Sequence, residues 1–406
     1  MHAVLSHSNF RNLWLGQIFS QLALNSLLFV LALVVYQKTA SNAAVSGLFL
    51  SYGVPAVLFG MMAGAIVDRL DRRSVLITCD IIRAWLVLTL FFYGNHVGVV
   101  YLVVFLSALI NQFYVPAEAP LIPRFVPKVN LVSANSLFSF TYYSSMGIGF
   151  IFAGPLVRQF GSQWSLLVIA LFFVTAAMMV FRLPVQGIGL KSLTQIFHYS
   201  PVYLIERILG LLQEGIRYVA ASPILFDSLL LLTGTQIILA ILGTLGPGFA
   251  DTVLHIDIRD VSWVVVAPTV AGIIAGALWV GNFGYRINPQ LLIRIGVISA
   301  GALLIVVSIL ANAPLLLVLI LFFLLGISNA LLDVPANATL QGRASRLMRG
   351  RVYGILTAAV GGVGILPVVV GGVLADVIGI RKVIFMLGAI ILTYGTIRMR
   401  YNKKSS

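Results

Sequence analysis

Twelve long apolar runs limit what this chain can fold into. A helix needs about 17 or more mostly apolar residues to cross the hydrocarbon of a bilayer. Such runs lie at roughly 12–36, 45–67, 75–93, 98–117, 132–157, 164–181, 223–247, 260–282, 290–311, 314–335, 352–375 and 383–398. Breakers separate several of them: Gly94-Asn95, Gly161-Ser162, Asn288-Pro289 and Asn312-Ala313-Pro314. Of the 406 residues, 60% are hydrophobic and only 9% charged, with a mean hydropathy of +1.04. A soluble domain of this length carries far more charge. The expected fold is therefore an all-α membrane protein of twelve transmembrane helices. The break between the sixth and seventh runs predicts three parts: a first six-helix bundle over 1–181, a cytoplasmic linker over 182–222 and a second six-helix bundle over 223–406. Within the linker, 202–219 has a helical period. Glu206, Arg207, Gln213, Glu214 and Arg217 gather on one face, and Val202, Ile205, Ile208, Leu212, Ile216 and Val219 cover much of the rest. That pattern suits a helix lying along the membrane surface.

The net charge of +14 would suggest nucleic acid in a soluble protein, but here its distribution argues otherwise. All but five of the 26 Lys and Arg fall on one side of this segmentation, the five being Lys38, Arg158, Arg259, Arg381 and Lys382. Basic residues concentrate on the cytoplasmic side of membrane proteins, so both termini are expected there, in a multi-pass protein of the inner (cytoplasmic) membrane. Cys79 is the only cysteine, which excludes an intrachain disulfide. His2, His7, His96, His198 and His255 all fall in tails or loops, leaving no histidine for a metal site or proton relay within the membrane. No small-residue cleavage site follows a short apolar core, so the first run is expected to anchor the chain and not to be removed. No cofactor is expected.

Between the second and third runs lies GMMAGAIVDRLDRRS, residues 60–74, with the spacing Gly64-x-x-x-Asp68-Arg69-x-x-Arg72-Arg73. Gly64 would let another helix pack closely. Asp68 could cap a neighbouring helix N-terminus, where amides are unpaired and the dipole favours an anion. The arginines would stay in water or among headgroups, and spacing alone also allows a simple topology anchor. The stretch resembles the loop between helices two and three of the major facilitator superfamily, whose signature is Gly-x-x-x-Asp-Arg-x-x-Arg-Arg/Lys. Asp71 stands where that loop usually has a second glycine.

The resemblance implies two pseudo-symmetric six-helix bundles, and the sequence repeats itself accordingly. Pro116-Ala117-Glu118-Ala119-Pro120-Leu121 aligns with Pro335-Ala336-Asn337-Ala338-Thr339-Leu340 at an offset of 219. Gly154-Pro155-Leu156 through Gly161 aligns with Gly372-Val373-Leu374 through Gly379 at 218. The counterpart of the loop is Gly281-x-x-x-Tyr285-Arg286, which lacks the acid. Such duplication is a general property of transporter folds, with this superfamily a standard example. Two further stretches resemble the macrolide-efflux and enterobactin-exporter branch: Glu214 to Val219 followed by Pro223, and Arg349-Gly350-Arg351-Val352-Tyr353-Gly354. By resemblance Arg349 and Arg351 would approach Asp68 when the cytoplasmic side closes, so Gly64, Asp68, Arg69, Arg72, Arg73, Arg349 and Arg351 form the expected gate.

Polar residues inside a membrane are costly and need a reason. They recur as stripes: Gln17, Gln21 and Asn25 on the first helix; Ser107, Asn111, Tyr114 and Glu118 on the fourth; Thr233, Gln236 and Thr244 on the seventh; Asn329, Asp333 and Asn337 below Gly326 on the tenth. The plainer reading is helix–helix hydrogen bonding, worth about 0.6 kcal/mol per pair. The superfamily lines its central cavity with these four helices, so the resemblance implies a substrate site of Gln21, Asn25, Asn111, Tyr114, Tyr143, Gln236, Asn329 and Asp333. Asp333 is the expected proton-coupling acid. Glu118 would be the second, placed close to water near a helix end. Asp227 is expected to favour the start of the seventh helix.

Helix five carries Ser136, Ser139 and Tyr143, then Gly147, Gly149 and Gly154-Pro155, a partial match to the superfamily's antiporter signature, with Ser145 in place of its leading glycine. Branch members usually have an acid soon after Ser-Gln-Leu on the first helix, whereas Ser20-Gln21-Leu22 is followed here by Ala23-Leu24-Asn25. Asn25-Ser26-Leu27-Leu28-Phe29 also resembles bacterial lysophospholipid transporters. Three functions follow: a monomeric secondary transporter exporting an amphiphilic or cationic small molecule by alternating access, coupled to protons as an antiporter; a lysophospholipid flippase of the same fold, with membrane lipids as partners; or a non-transporting membrane receptor. No His-Glu-x-x-His, Gly-x-Ser-x-Gly or phosphate loop points to an enzyme.

Overall fold

The computed structural model describes residues 2–67, 70–94, 96–127, 130–185, 213–310, 314–344, 352, 355–356, 359 and 364–403. Among these residues there are helices and turns but no strand. After a short turn at His2–Leu5, the helices are α1 (Ser8–Thr39), α2 (Asn42–Val67), α3 (Arg72–Tyr93) and α4 (Val97–Glu118). A continuous helix, Leu131–Phe181, is divided by Gly161 into α5 and α6. The second half has α7 (Pro223–Thr252), α8 (Ala267–Phe283, entered through a π-helical turn at Ser262–Val266), α9 (Pro289–Ile309), α10 (Leu315–Arg343), α11 (Ile365–Ile378) and α12 (Ile380–Lys403). Among the described residues, ten helices are long and apolar enough to cross a membrane. Leu131–Phe181 is one of them, and Ile365–Ile378 is a shorter apolar helix. Each of the twelve apolar runs thus contains helix.

Local chemistry explains several boundaries. The Asp71 carboxylate accepts from the Ser74 backbone N–H at 2.9 Å and so caps α3. Loss of such a cap costs about 1 kcal/mol. Asp71→Ala is expected to lower the thermal midpoint of the purified protein by a few degrees, checked by scanning fluorimetry, while Asp71→Asn retains most of the stability. Asn288 caps α9 through the Gln290 N–H at 2.9 Å, with Pro289 at the first helical position, where its missing donor is harmless. Gly161 and Gly379 have φ of 75° and 92°, a left-handed region that favours glycine. They end α5 and α11 and are the two positions matched at offset 218. The internal repeat therefore extends to backbone conformation.

The chain forms two compact units, Met1–Lys38 with Gly47–Ser200 and Thr39–Ser46 with Pro201–Ser406. In the first, α1 is largely buried, with Phe10, Leu13, Leu27, Leu31 and Leu33 fully enclosed. Trp14 donates its indole N–H to Thr141 of α5 at 2.7 Å, and Phe29 packs on Phe150 at 5.0 Å between ring centroids. In the second unit, α8 and α10 cross at Gly272 and Gly326, where a Cβ on either would stand about 2 Å from a backbone carbonyl of the other helix. Small residues allow this approach, and dispersion between backbones holds it. The first turn of α2 belongs to the second unit, because Asp376 accepts from Ser41 Oγ (2.6 Å), the Asn42 and Ala43 N–H groups (2.8 and 2.9 Å) and Asn42 Nδ2 (2.8 Å).

Some expectations fall outside the described residues: Asp68, Arg69, Arg349 and Arg351, and the linker helix apart from 213–219, which is helical with Val219 buried. The close approach expected at Gly64 is not found among the described residues, where a Cβ there would meet nothing within 4 Å.

Candidate functional site

The most demanding chemistry lies inside the first unit. On α3, Asp80 and Arg83 are three residues apart and share a face. Their side chains are 0% and 1% exposed. Ser20 of α1 donates its hydroxyl to Asp80 Oδ1 at 2.7 Å and accepts from Arg83 Nη1 at 3.2 Å. Nη1 is also 3.5 Å from Asp80 Oδ1, and Nη2 donates to Asn111 Oδ1 of α4 at 2.9 Å. The guanidinium lies 5.0 Å from the ring centre of Tyr114 (α4) and 5.7 Å from that of Phe173 (α6), within cation–π range. Glu118 follows Tyr114 by one turn, is 7% exposed and lies within electrostatic reach of both Asp80 and Arg83.

This cluster is incompletely satisfied. Asp80 Oδ2, Glu118 Oε1, Arg83 Nε and the Tyr114 hydroxyl are buried with no hydrogen-bond partner. Buried polar atoms are nearly always paired, so four orphans in one cluster mark a place where a further species binds or where the cluster rearranges. Two carboxylates face one guanidinium. With every group ionised the cluster carries an uncompensated negative charge, which costs several kcal/mol in a medium this dry. One added proton makes it neutral.

The residues expected from sequence are only partly brought together. Asn111, Tyr114 and Glu118 join the cluster, and Ser20 enters where Gln21 was expected. Glu118 was expected near water, yet the bundle buries it, because its face of α4 turns toward α3. Gln21 is buried, and Asn25 donates back to the Gln21 carbonyl of its own helix at 2.8 Å. Asp333 is more exposed than Glu118. It accepts from Asn337 Nδ2 at 3.0 Å, leaving Oδ1 without a partner. Gln236 and Asn329 are half-buried, while the side chain of Tyr143 lies outside the described residues. Arg72 begins α3, and Arg73 donates to the Phe181 carbonyl at 2.5 Å with its guanidinium over the Phe181 ring, so Arg73 ties α3 to the end of α6. Asp227 accepts from the Tyr394 hydroxyl at 3.2 Å.

Sequence reasoning missed Asp80 and Arg83 by weighing helices one, four, five, seven and ten and not helix three. The signal was available: two opposite charges at i, i+3 inside an apolar span are functional candidates by default. A family model described as the Major Facilitator Superfamily matches residues 13–366 and 229–404. The chain belongs to the Major Facilitator Superfamily. It is similar to macrolide efflux protein A of Streptococcus pyogenes, 25% identical over 401 residues that cover 94% of this chain and 93% of that protein. It is also similar to the multidrug efflux pump Tap of Mycolicibacterium fortuitum, 24% identical over 374 residues, covering 90% and 88%. Among solved structures, the nucleoside transporter NupG has the same fold, with a TM-score of 0.68 at 16% identity over 96% of this chain and 98% of that one. This Major Facilitator Superfamily protein is therefore a multi-pass membrane transporter and not an enzyme.

Superfamily duplication makes the charged cluster more informative, since among the described residues the matching positions of the second unit carry no charge. At the repeat offsets, Glu118 corresponds to Asn337, and the stretch of α9 matching Asp80 to Arg83 reads Ile298-Ser299-Ala300-Gly301-Ala302. There Ser299 donates to Ser328 of α10 at 2.8 Å, a neutral contact where the first unit has an ionic one.

Proposed function

We propose that this transporter exports amphiphilic or cationic small molecules by alternating access and draws its energy from protons bound at the Asp80–Arg83–Glu118 cluster. The observation that carries this reading is the pair of buried carboxylates sharing one guanidinium, with an unpartnered oxygen on each. A proton taken from the outer side onto one of these oxygens and released to the cytoplasm would change the cluster's charge by one. Arg83 would then shift its pairing between Asp80 and Glu118. The other titratable groups facing the cluster are Cys79 on α3, Tyr114 on α4 and Tyr52 on α2. Asp333 of the second unit, with its free-standing Oδ1, is the proposed contact for a substrate cation, beside Asn329 and Gln236. The similarity to macrolide and multidrug efflux pumps supports export as the direction. The flippase alternative requires no deep acid, so the buried pair weighs against it. Cytoplasmic termini complete the proposal.

Proteoliposomes of the purified protein, given a labelled macrolide or a cationic dye with and without an imposed pH gradient, test this reading. Accumulation in an acidic lumen that collapses when nigericin dissipates the gradient is expected. Movement that ignores the pH gradient would refute proton coupling, and movement of labelled lysolipid under those conditions would favour the flippase.

A further inference from the structure

At the end of the first unit remote from the N-terminus, a cavity of about 360 Å³ opens between the end of α1, the end of α3 and the corner joining α5 to α6. The left-handed turn at Gly161 shapes that corner. One part of the lining is polar: Lys38 near the end of α1, with Ser162 and Gln163 from the corner. The Lys38 ammonium donates to the Gly94 carbonyl at 2.5 Å, which fixes it at the mouth. The other part is aromatic. Phe91 meets Trp164 edge-on at 5.8 Å, and Phe92, Trp164 and Phe160 are 74%, 60% and 53% exposed. Trp and other aromatic side chains collect at the level of lipid headgroups, where one side is wet and the other oily. A cation beside hydroxyl and amide donors, backed by exposed aromatic rings, fits an anionic amphiphile. The cation also disfavours the cationic substrates proposed above.

We propose that this cavity binds the phosphodiester head group of an anionic phospholipid taken from the bilayer, with Lys38 as the counter-charge and Phe92, Phe160 and Trp164 against its acyl chains. Such a site is independent of proton coupling and of the transported substrate. It needs only that the chain spans a membrane.

Native mass spectrometry of the full chain, titrated with phosphatidylglycerol and separately with phosphatidylcholine, tests it. The wild type is expected to retain one phosphatidylglycerol at concentrations where phosphatidylcholine is lost. Lys38→Gln should weaken that retention about fivefold, since one basic residue near a lipid surface is worth about that factor, whereas Lys38→Arg should keep it. Ser162→Glu leaves Lys38 and its bond to Gly94 in place but puts a negative charge in the cavity, so it should also expel phosphatidylglycerol. This second variant decides the matter if Lys38→Gln does not fold. Equal retention of both lipids by the wild type, or unchanged phosphatidylglycerol retention in Ser162→Glu, would overturn the proposal.

Discussion

Arg83→Leu is expected to lower the thermal midpoint of the detergent-solubilised transporter on the order of 10 °C. Arg83 is fully enclosed, and its guanidinium is the counter-charge to Asp80 with Glu118 in reach. Removing one partner of a buried pair leaves the other charge in a dry site, which costs about 3–5 kcal/mol. The leucine also gives up the bond to Asn111 and the stacking on Tyr114. Adding Asp80→Asn to Arg83→Leu should recover most of the loss, because a neutral replacement of a buried pair is often nearly neutral in stability. A single variant that melts with the wild type in scanning fluorimetry would show that the pair is not held in a dry interior.

Gly326→Val is expected to prevent recovery of folded protein, measured as the monodisperse fraction in size-exclusion chromatography. A Cβ at Gly326 would stand 2.1 Å from the Thr269 carbonyl oxygen and 2.8 Å from the Ile273 nitrogen. Those are backbone atoms of the facing helix, so no side chain can rotate away. α8 and α10 would have to separate along their length, at a cost above the roughly 1–3 kcal/mol of ordinary overpacking. Gly234→Ala on α7 is the control, since nothing lies within 4 Å of its Cβ position, and it should be recovered like the wild type.

The fold was legible because apolar length, the strongest constraint on it, needs no fine geometry to read. Length alone marks a membrane helix, and the breakers at Gly161-Ser162 and Asn288-Pro289 fall at real helix ends. The matching left-handed glycines at 161 and 379 show that the repeat seen in the letters is also conformational. The site was less legible for a geometric reason. A stripe such as Asn111, Tyr114 and Glu118 fixes which residues share a face of α4, but not which neighbour that face meets. That neighbour is α3, whose Arg83 binds Asn111 and lies over Tyr114. Asn25 misleads similarly: its period matches Gln21, yet its amide returns to its own backbone. Asp80 and Arg83 were visible as charges inside an apolar span and needed only to be weighed by that fact.

If proton energy enters through the acids of the first unit, removing them must uncouple transport. The most direct test is pH-gradient-driven accumulation by Asp80→Asn/Glu118→Gln in proteoliposomes, measured beside substrate counterflow with no gradient. Both replacements keep side-chain size, and together they remove the only two carboxylates of the cluster among the described residues. Counterflow is expected to persist while accumulation against a concentration gradient disappears, and Asp333→Asn alone should weaken substrate retention without abolishing the response to pH. Accumulation by the double variant that still follows the pH gradient at the wild-type level would contradict coupling through this cluster.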